Sequence, residues 1–133
     1  MIRTFLDSGV LITAATGIGR DRDQALAILG DLERTFVTSV FVNLELVPKA
    51  VFHRRRLEKS FYDQYFETAA WVGDLDKIAE TAQFEAARLG LAALDSLHVA
   101  AAHLGEADQF ITTERPGKPL YRSTLVPVLY LFE

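Results

Sequence analysis

Four carboxylates stand where an acidic side chain needs a specific explanation: Asp7, Glu45, Asp95 and Glu114. Asp7 and Glu114 follow apolar runs that predict strands. Glu45 lies between two leucines of a helical segment, where an unpaired charge costs several kcal/mol. Asp95 stands near the start of the helical stretch AALDSLHVAAA. Taken singly, they have simpler explanations: helix caps, an ion pair to Lys49, or a solvated loop.

If the fold gathers these acids on one edge, their charges need a counter-charge. Ligands that are all oxygen select a hard cation, so Mg²⁺ or Mn²⁺ is the predicted cofactor. Such an ion can activate a water and stabilise the leaving oxygen in phosphodiester cleavage. The four carboxylates are therefore the predicted catalytic and metal-binding residues.

The segments that must position these acids alternate between strand and helix. Strands are predicted at 2–6, 35–38, 109–112 and 126–132, and helices at about 9–15, 22–33, 40–55, 57–70, 77–89 and 92–102. Residues 17–20 are predicted as a turn and residues 71–75 as a short strand or loop. Pro48 predicts a kink or break in the helix at 40–55, and Asp76 is the predicted cap of the helix at 77–89. The pattern predicts a three-layer α/β/α fold with a central, mainly parallel sheet, whose sites lie at the carboxyl ends of its strands.

The bulk composition narrows the class of protein. A chain of 133 residues, half of them apolar, predicts one domain over residues 1–133. There are no cysteines, which excludes disulfides and thiolate zinc sites and is typical of the cytoplasm. We expect no secretion signal, since a strand follows Met1 at once, and no membrane association, since no apolar run approaches about 18 residues.

The net charge of −4 excludes a general basic field for nucleic acid, so contacts with a polyanion must be local. Five cations are predicted to bind RNA phosphates: Arg54, Arg55, Arg56, Arg115 and Lys118. Arginines 54–56 are equally explained as a solvated helix end. The helix at 57–70 carries an aromatic group that is predicted to face the core: Phe61, Tyr62, Tyr65 and Phe66.

Four segments together resemble the PIN domain, the nuclease fold of VapC-type toxins: FLDSGVLI, SVFVNLELVPKA, ALDSLHVAAA and FITTE. The resemblance runs from Phe5 to the last strand. It implies that the four acids form a Mg²⁺ or Mn²⁺ pocket that hydrolyses RNA, and that Thr112 belongs to the family's threonine-x-acid element. It also implies a homodimer and an antitoxin partner held in an apolar groove. His98, one turn beyond Asp95, and Ser8 are predicted to support the site.

The sequence departs from the family pattern at two positions. Glu114 stands where aspartate is usual, and Gly9 stands where the family often has a hydroxyl or amide that Ser8 or Thr112 would have to replace. A catalytically degenerate PIN domain that binds RNA or protein is therefore the alternative. A phosphoaspartyl enzyme fits less well, because Gly9 occupies the place of its second acid and no lysine follows the strand at 109–112.

Overall fold

The chain alternates strands and helices from end to end, and the computed structural model describes all 133 residues. The strands are β1 (Ile2–Leu6), β2 (Arg34–Thr38), β3 (Ala70–Trp71), β4 (Gln109–Thr112) and β5 (Val128–Tyr130). The helices are α1 (Ser8–Thr16), α2 (Gly19–Leu29), α3 (Val40–Phe52), α4 (Arg56–Thr68), α5 (Leu75–Leu89) and α6 (Ala93–Leu104), with a 3₁₀ turn at Pro119–Arg122. None of the helices has the length and apolar character that a membrane span requires.

The five strands form one sheet in the order β3-β2-β1-β4-β5, and every pair is parallel. Six helices flank this sheet, so the predicted α/β fold class is confirmed. The chain builds outward from β1 to β3 on one side and then crosses to β4 and β5 on the other. The carboxyl ends of β1 and β4 therefore meet at the topological switch point, where open α/β sheets hold their ligands.

The core is dominated by the central strands and the helices packed on them. Phe5 and Phe110 are completely buried, and their rings stack at 5.2 Å between centroids. The predicted inward orientation of the aromatic group on α4 is confirmed, because Tyr62, Tyr65 and Phe66 are buried and Phe61 packs against them from a half-buried position. This packing lies directly beneath the carboxyl ends of β1 and β4 and supports them.

Several predicted boundaries are wrong by a few residues. Helix α2 starts at Gly19, within the predicted turn, and β5 covers only residues 128–130. Helix α3 continues through Pro48 without a break. The carbonyl that Pro48 leaves without an N–H partner belongs to Leu44, which is 61 % exposed and can bond to water.

The cap of α5 is Asp74 rather than the predicted Asp76. A capping side chain must reach an amide about three residues ahead, and the Asp74 carboxylate accepts a hydrogen bond from Lys77 N at 3.1 Å. Asp76 instead lies in the first turn, where its charge favours the helix dipole. Asp76 therefore lies in the first turn of α5, as Asp95 lies in the first turn of α6.

Candidate metal centre

Asp7 lies directly after β1 and is the N-cap of α1. Its Oδ1 accepts a hydrogen bond from Ser8 N at 2.9 Å, and its Oδ2 accepts one from Thr112 Oγ1 at 2.8 Å. The residue is only 7 % exposed. Each oxygen keeps a free lone pair. The simpler explanation of Asp7 as a cap is therefore correct, yet it leaves the carboxylate able to bind a cation as well.

Thr112, the completely buried last residue of β4, joins two of the predicted site residues. Its hydroxyl accepts a hydrogen bond from Glu114 N at 3.0 Å and donates one to Asp7 Oδ2. Because the amide occupies a lone pair of the oxygen, the hydroxyl proton is directed toward the carboxylate. Thr112 thus fixes both Asp7 and the start of the loop that carries Glu114.

Glu45 on α3 makes a short hydrogen bond through Oε1 to His98 Nε2 on α6. The bond replaces the simple ion pair with Lys49, which acts on Glu45 only through its charge. His98 is buried, and its Nδ1 has no partner. A bare acceptor nitrogen is easier to bury than an unpaired N–H, so we assign the proton to Nε2.

The hydrogen bond from His98 is the main reason that the pKa of Glu45 lies below its usual value. Partial burial opposes this shift, and the Ser8 hydroxyl adds to it. The ligand atoms of Asp7, Glu45 and His98 all lie within 4.8 Å of one another. Glu45 is therefore held ionised beside Asp7, at the same end of the sheet.

Asp95 occupies the first turn of α6, but it does not cap the helix, because the N-cap is Ala92 and no side chain bonds there. The explanation of Asp95 as a cap is therefore wrong. Burial raises the pKa of Asp95 above its usual value, and the negative charges of Asp7, Glu114 and Glu45 raise it further. All three other acids thus lie close enough to act on this carboxylate.

Glu114 lies at the rim of this group, two residues beyond β4. Its backbone is held at both ends, by Thr112 Oγ1 at the amide and by the Tyr121 hydroxyl, which donates to the carbonyl at 2.6 Å. The side chain is exposed. Glu114 is therefore placed to reach a cation at the edge of the cluster rather than at its centre.

Gly9, in the first turn of α1, has a packing role that the sequence did not indicate. A Cβ at this position would overlap the hydroxyl of Thr113. The missing side chain thus lets the loop after β4 lie directly against α1, with a threonine hydroxyl beside Gly9. No sequence signal links Gly9 to Thr113, because the contact joins segments about a hundred residues apart.

The five predicted RNA-binding cations fall into two places. Arg54, Arg55 and Arg56 lie at the turn between α3 and α4 and line one cavity. Arg115 and Lys118 are exposed in the loop that follows Glu114. The acid cluster itself has no ion pair with any lysine or arginine; its one basic contact is His98 on Glu45.

The donor set fits a divalent cation of the hard type. Asp7 and Glu45 lie together, the charges of Asp7, Glu114 and Glu45 add to the rise that burial causes in the pKa of Asp95, and no arginine or lysine forms an ion pair with these four acids. Mg²⁺ and Mn²⁺ are bound by such oxygen ligands together with waters. His98 nitrogen Nε2 is already engaged with Glu45, so this residue orients a ligand more readily than it binds the ion itself.

Comparison with known proteins gives a match in structure without a match in sequence. Neither the protein-family models nor the curated protein sequences contain a match to this chain. Among solved structures, VapBC2 from Rickettsia felis bound to a promoter DNA fragment matches with a TM-score of 0.73 and 16% identity, over 97% of this chain and 98% of that chain. VapBC-1 from nontypeable Haemophilus influenzae gives 0.73 and 17%, over 99% and 100%.

A toxin–antitoxin complex from Klebsiella pneumoniae has a TM-score of 0.69 and 18% identity, with 98% of each chain covered. Identities this low establish the fold alone. The chain therefore has the PIN-like α/β fold of these toxin–antitoxin structures, over practically its whole length. The resemblance that the four sequence motifs indicated is confirmed at the level of the fold.

Proposed function

We propose that this protein is a metal-dependent endoribonuclease of the PIN type, and that it is the toxin of a toxin–antitoxin pair. The observation that supports the proposal is a pair of acids, Asp7 and Glu45, whose ligand atoms lie within 4.8 Å of each other near the switch point of the sheet. The charges of both acids and of Glu114 act on Asp95, and no lysine or arginine forms an ion pair with any of the four. A surface that merely stabilised the fold would not gather like charges in this way.

The cation would be held by Asp7, Glu45 and Asp95, with Glu114 contributing from the rim. Bound Mg²⁺ or Mn²⁺ would supply an activated water and stabilise charge on the phosphate and the leaving oxygen. The protein's own contribution is orientation. Thr112 fixes Asp7 and His98 fixes Glu45, so two ligands are held in place before the ion arrives.

The assignment of RNA as substrate and of a toxin role rests on the PIN resemblance and on the matched structures, which are described as VapBC and toxin–antitoxin complexes. An antitoxin partner needs a surface to bind. An apolar groove of about 400 Å³ between α2 and α4, lined by Leu26, Leu29, Phe36 and Phe61 among others, is suited to a partner segment. A homodimer follows from the same resemblance.

One observation favours the alternative, a PIN domain that has lost catalysis. Glu114 is exposed, and its side chain makes no contact that would hold it toward the other acids. Affinity for Mn²⁺ separates the two functions, because a binding module has no reason to hold a divalent cation at this cluster.

The proposal is tested by incubating the purified protein with a mixed RNA pool in Mn²⁺, in Mg²⁺ and in EDTA. Asp7→Asn and Asp95→Asn are measured beside Asp76→Asn, a matched control in which an exposed acid in the first turn of another helix is neutralised. We expect metal-dependent cleavage that disappears in the first two variants and persists in the third.

Cleavage that persists in EDTA, or that survives in both Asp7→Asn and Asp95→Asn, contradicts the proposed site. If the folded wild type neither cleaves RNA nor binds Mn²⁺ by calorimetry, catalysis is refuted and the binding module becomes the better description. Binding of Mn²⁺ by the wild type and Asp76→Asn, but not by Asp95→Asn, supports the metal centre independently of the RNA chosen.

A further inference from the structure

We propose that the basic cavity at the α3–α4 turn is a phosphate-binding subsite that seats the RNA strand beside the acid cluster. The inference rests on the proposed function, since it names where the substrate of that same site is held. It gives the RNA contacts predicted at Arg54 and Arg56 a defined place in the fold, and it extends the contact surface to Lys49 and His53.

The cavity has a volume of about 380 Å³ and is lined by Arg54, Arg55, Arg56 and Lys59 over the apolar floor of Ala50 and Val51. No acid lines it. Lys59 is paired with Asp63, and Arg55 is within 3.7 Å of Glu58. Arg54 and Arg56 form no ion pair. In a protein with a net charge of −4, two free guanidinium groups at one cavity point to an anionic ligand.

The ligand fits phosphate better than an isolated carboxylate. Guanidinium groups bind phosphate oxygens with two parallel hydrogen bonds, and several of them around one cavity match a group that carries charge on more than one oxygen. An RNA backbone presents such groups at regular intervals, and phosphate contacts of this kind fix the position of a strand without reading its sequence.

This cavity shares a wall with a second cavity that reaches Glu45 of the acid cluster. Arg55 also lines an adjoining cavity of about 160 Å³, which is bordered by Glu45, Lys49 and His53 and also by Glu58. Glu45, Lys49 and His53 follow one another at intervals of four residues on α3, so His53 lies roughly 12 Å from Glu45 along the helix axis. A strand cleaved at the acids would extend past Lys49 and His53 toward the arginines.

The backbone at Arg54 supplies a sharp test. Arg55 N bonds to Ala50 O and Arg54 N bonds to Val51 O, the pattern of a helix end in which the residue at position 54 is left-handed, with φ of 56°. Glycine is preferred at that position, so Arg54→Gly should raise Tm while it removes the charge. The same hydrogen-bond pattern ends α6 at Glu106, also with φ of 56°. Glu106→Gly is therefore a control with the same backbone effect.

RNA binding is measured by fluorescence anisotropy with a labelled single strand in EDTA, so that the readout does not depend on catalysis. We expect Arg54→Gly and Arg56→Gln each to weaken RNA binding roughly three- to tenfold, as loss of one ionic contact does. Each should also reduce the slope of log affinity against log salt by about 0.7. Glu106→Gly should raise Tm by a few degrees, as Arg54→Gly does, and should not weaken RNA binding.

If both arginine variants bind RNA as tightly as Glu106→Gly, the subsite is refuted even where metal-dependent cleavage by the wild type upholds the proposed function. If they weaken RNA binding while the wild type shows no cleavage and no Mn²⁺ affinity, the subsite stands and catalysis fails. If they lose affinity for poly-glutamate but not for RNA, the cavity belongs to an acidic protein partner, and the RNA subsite is overturned.

Discussion

Replacing Asp95 by asparagine should stabilise the metal-free protein while it removes the proposed metal site. The substitution takes away one negative charge and almost no volume. Asp95 caps no helix and is in no ion pair, so the main favourable interaction lost is the attraction of His98, which lowers the pKa of Asp95 less than Asp7 raises it. Burial is the largest cause of the raised pKa of Asp95, and repulsion from other acids, chiefly Asp7, is the next. The substitution removes this repulsion.

The spacing within the cluster sets the scale of this effect. Two carboxylates at 4.8 Å, the outer limit for the ligand atoms of Asp7 and Glu45, repel by about 3.5 kcal/mol at an effective dielectric constant of about 20. Asp95 lies outside this 4.8 Å group and is only half-buried, so its larger separation and solvent screening reduce the gain to roughly 1–2 kcal/mol. Loss of a charge at the start of α6 costs about 0.5 kcal/mol through the helix dipole. A net gain of about 1 kcal/mol corresponds to a rise in Tm of about 3–5 °C.

The gain should depend on pH with a definite sign. Because its pKa is raised in the folded state, Asp95 holds its proton more tightly there than in the unfolded chain. Ionised Asp95 therefore costs stability above its folded pKa, and the cost fades as the pH falls through that pKa toward the unfolded value. The advantage of asparagine is thus largest at neutral pH and shrinks on acidification.

Urea unfolding in EDTA at neutral and acidic pH measures these differences, with Asp76→Asn as the control for loss of an acid in a first helical turn. Mn²⁺ should then stabilise the wild type and not Asp95→Asn, since a ligand stabilises only the state that binds it. The reasoning fails if Asp95→Asn is less stable than the wild type in EDTA at neutral pH, or if its advantage grows as the pH falls.

Two further predictions concern packing around the site and away from it. Gly9→Ala should destabilise the protein by about 1–3 kcal/mol, because the new Cβ overlaps the Thr113 hydroxyl. In a Thr113→Ala background the same change should be neutral or stabilising. Thermal melts of the double-mutant cycle measure both effects, and additive effects would contradict the contact. Glu85, which is 1 % exposed, bonds to Ser123 and Arg88. Glu85→Gln should therefore lower the free energy of unfolding by about 1–3 kcal/mol in urea titrations, and an unchanged midpoint would show that these bonds are dispensable.

The order of strands and helices could be predicted because each element carries its own periodicity. The acids could be placed for a related reason: the carboxyl ends of parallel strands share one edge, so residues that follow strands, such as Asp7 and Glu114, must lie near it. The pairing of Glu45 with His98 could not be predicted. Helical periodicity shows which face of α3 and of α6 is buried, but not which residue of another helix meets it.

The end of α3 shows why boundaries were harder to place. Helices commonly end at a glycine in the left-handed region, and the stretch after Phe52 contains none, so the pattern predicted three more helical residues. The chain instead places Arg54 in that conformation. A non-glycine residue there is a local cost that the sequence pattern cannot reveal, and the chain accepts the same cost at Glu106 after α6.

The fold offsets part of the repulsion within the acid cluster, and the part left over is what a cation would neutralise. Asp7 and Asp95 both lie at helix N-termini, where the helix dipole favours negative charge. Asp7 also accepts a hydrogen bond from the Thr112 hydroxyl, whereas no side chain donates a hydrogen bond to Asp95. Asp7→Asn should therefore stabilise the metal-free protein less than Asp95→Asn, because the amide has only one acceptor oxygen and must lose the hydrogen bond from either Ser8 N or the Thr112 hydroxyl. If both variants lose Mn²⁺ affinity while only Asp95→Asn gains stability, the charges that repel one another in the metal-free protein are the same charges that bind the metal. Equal gains in stability would mean that Thr112 does not hold Asp7 in place.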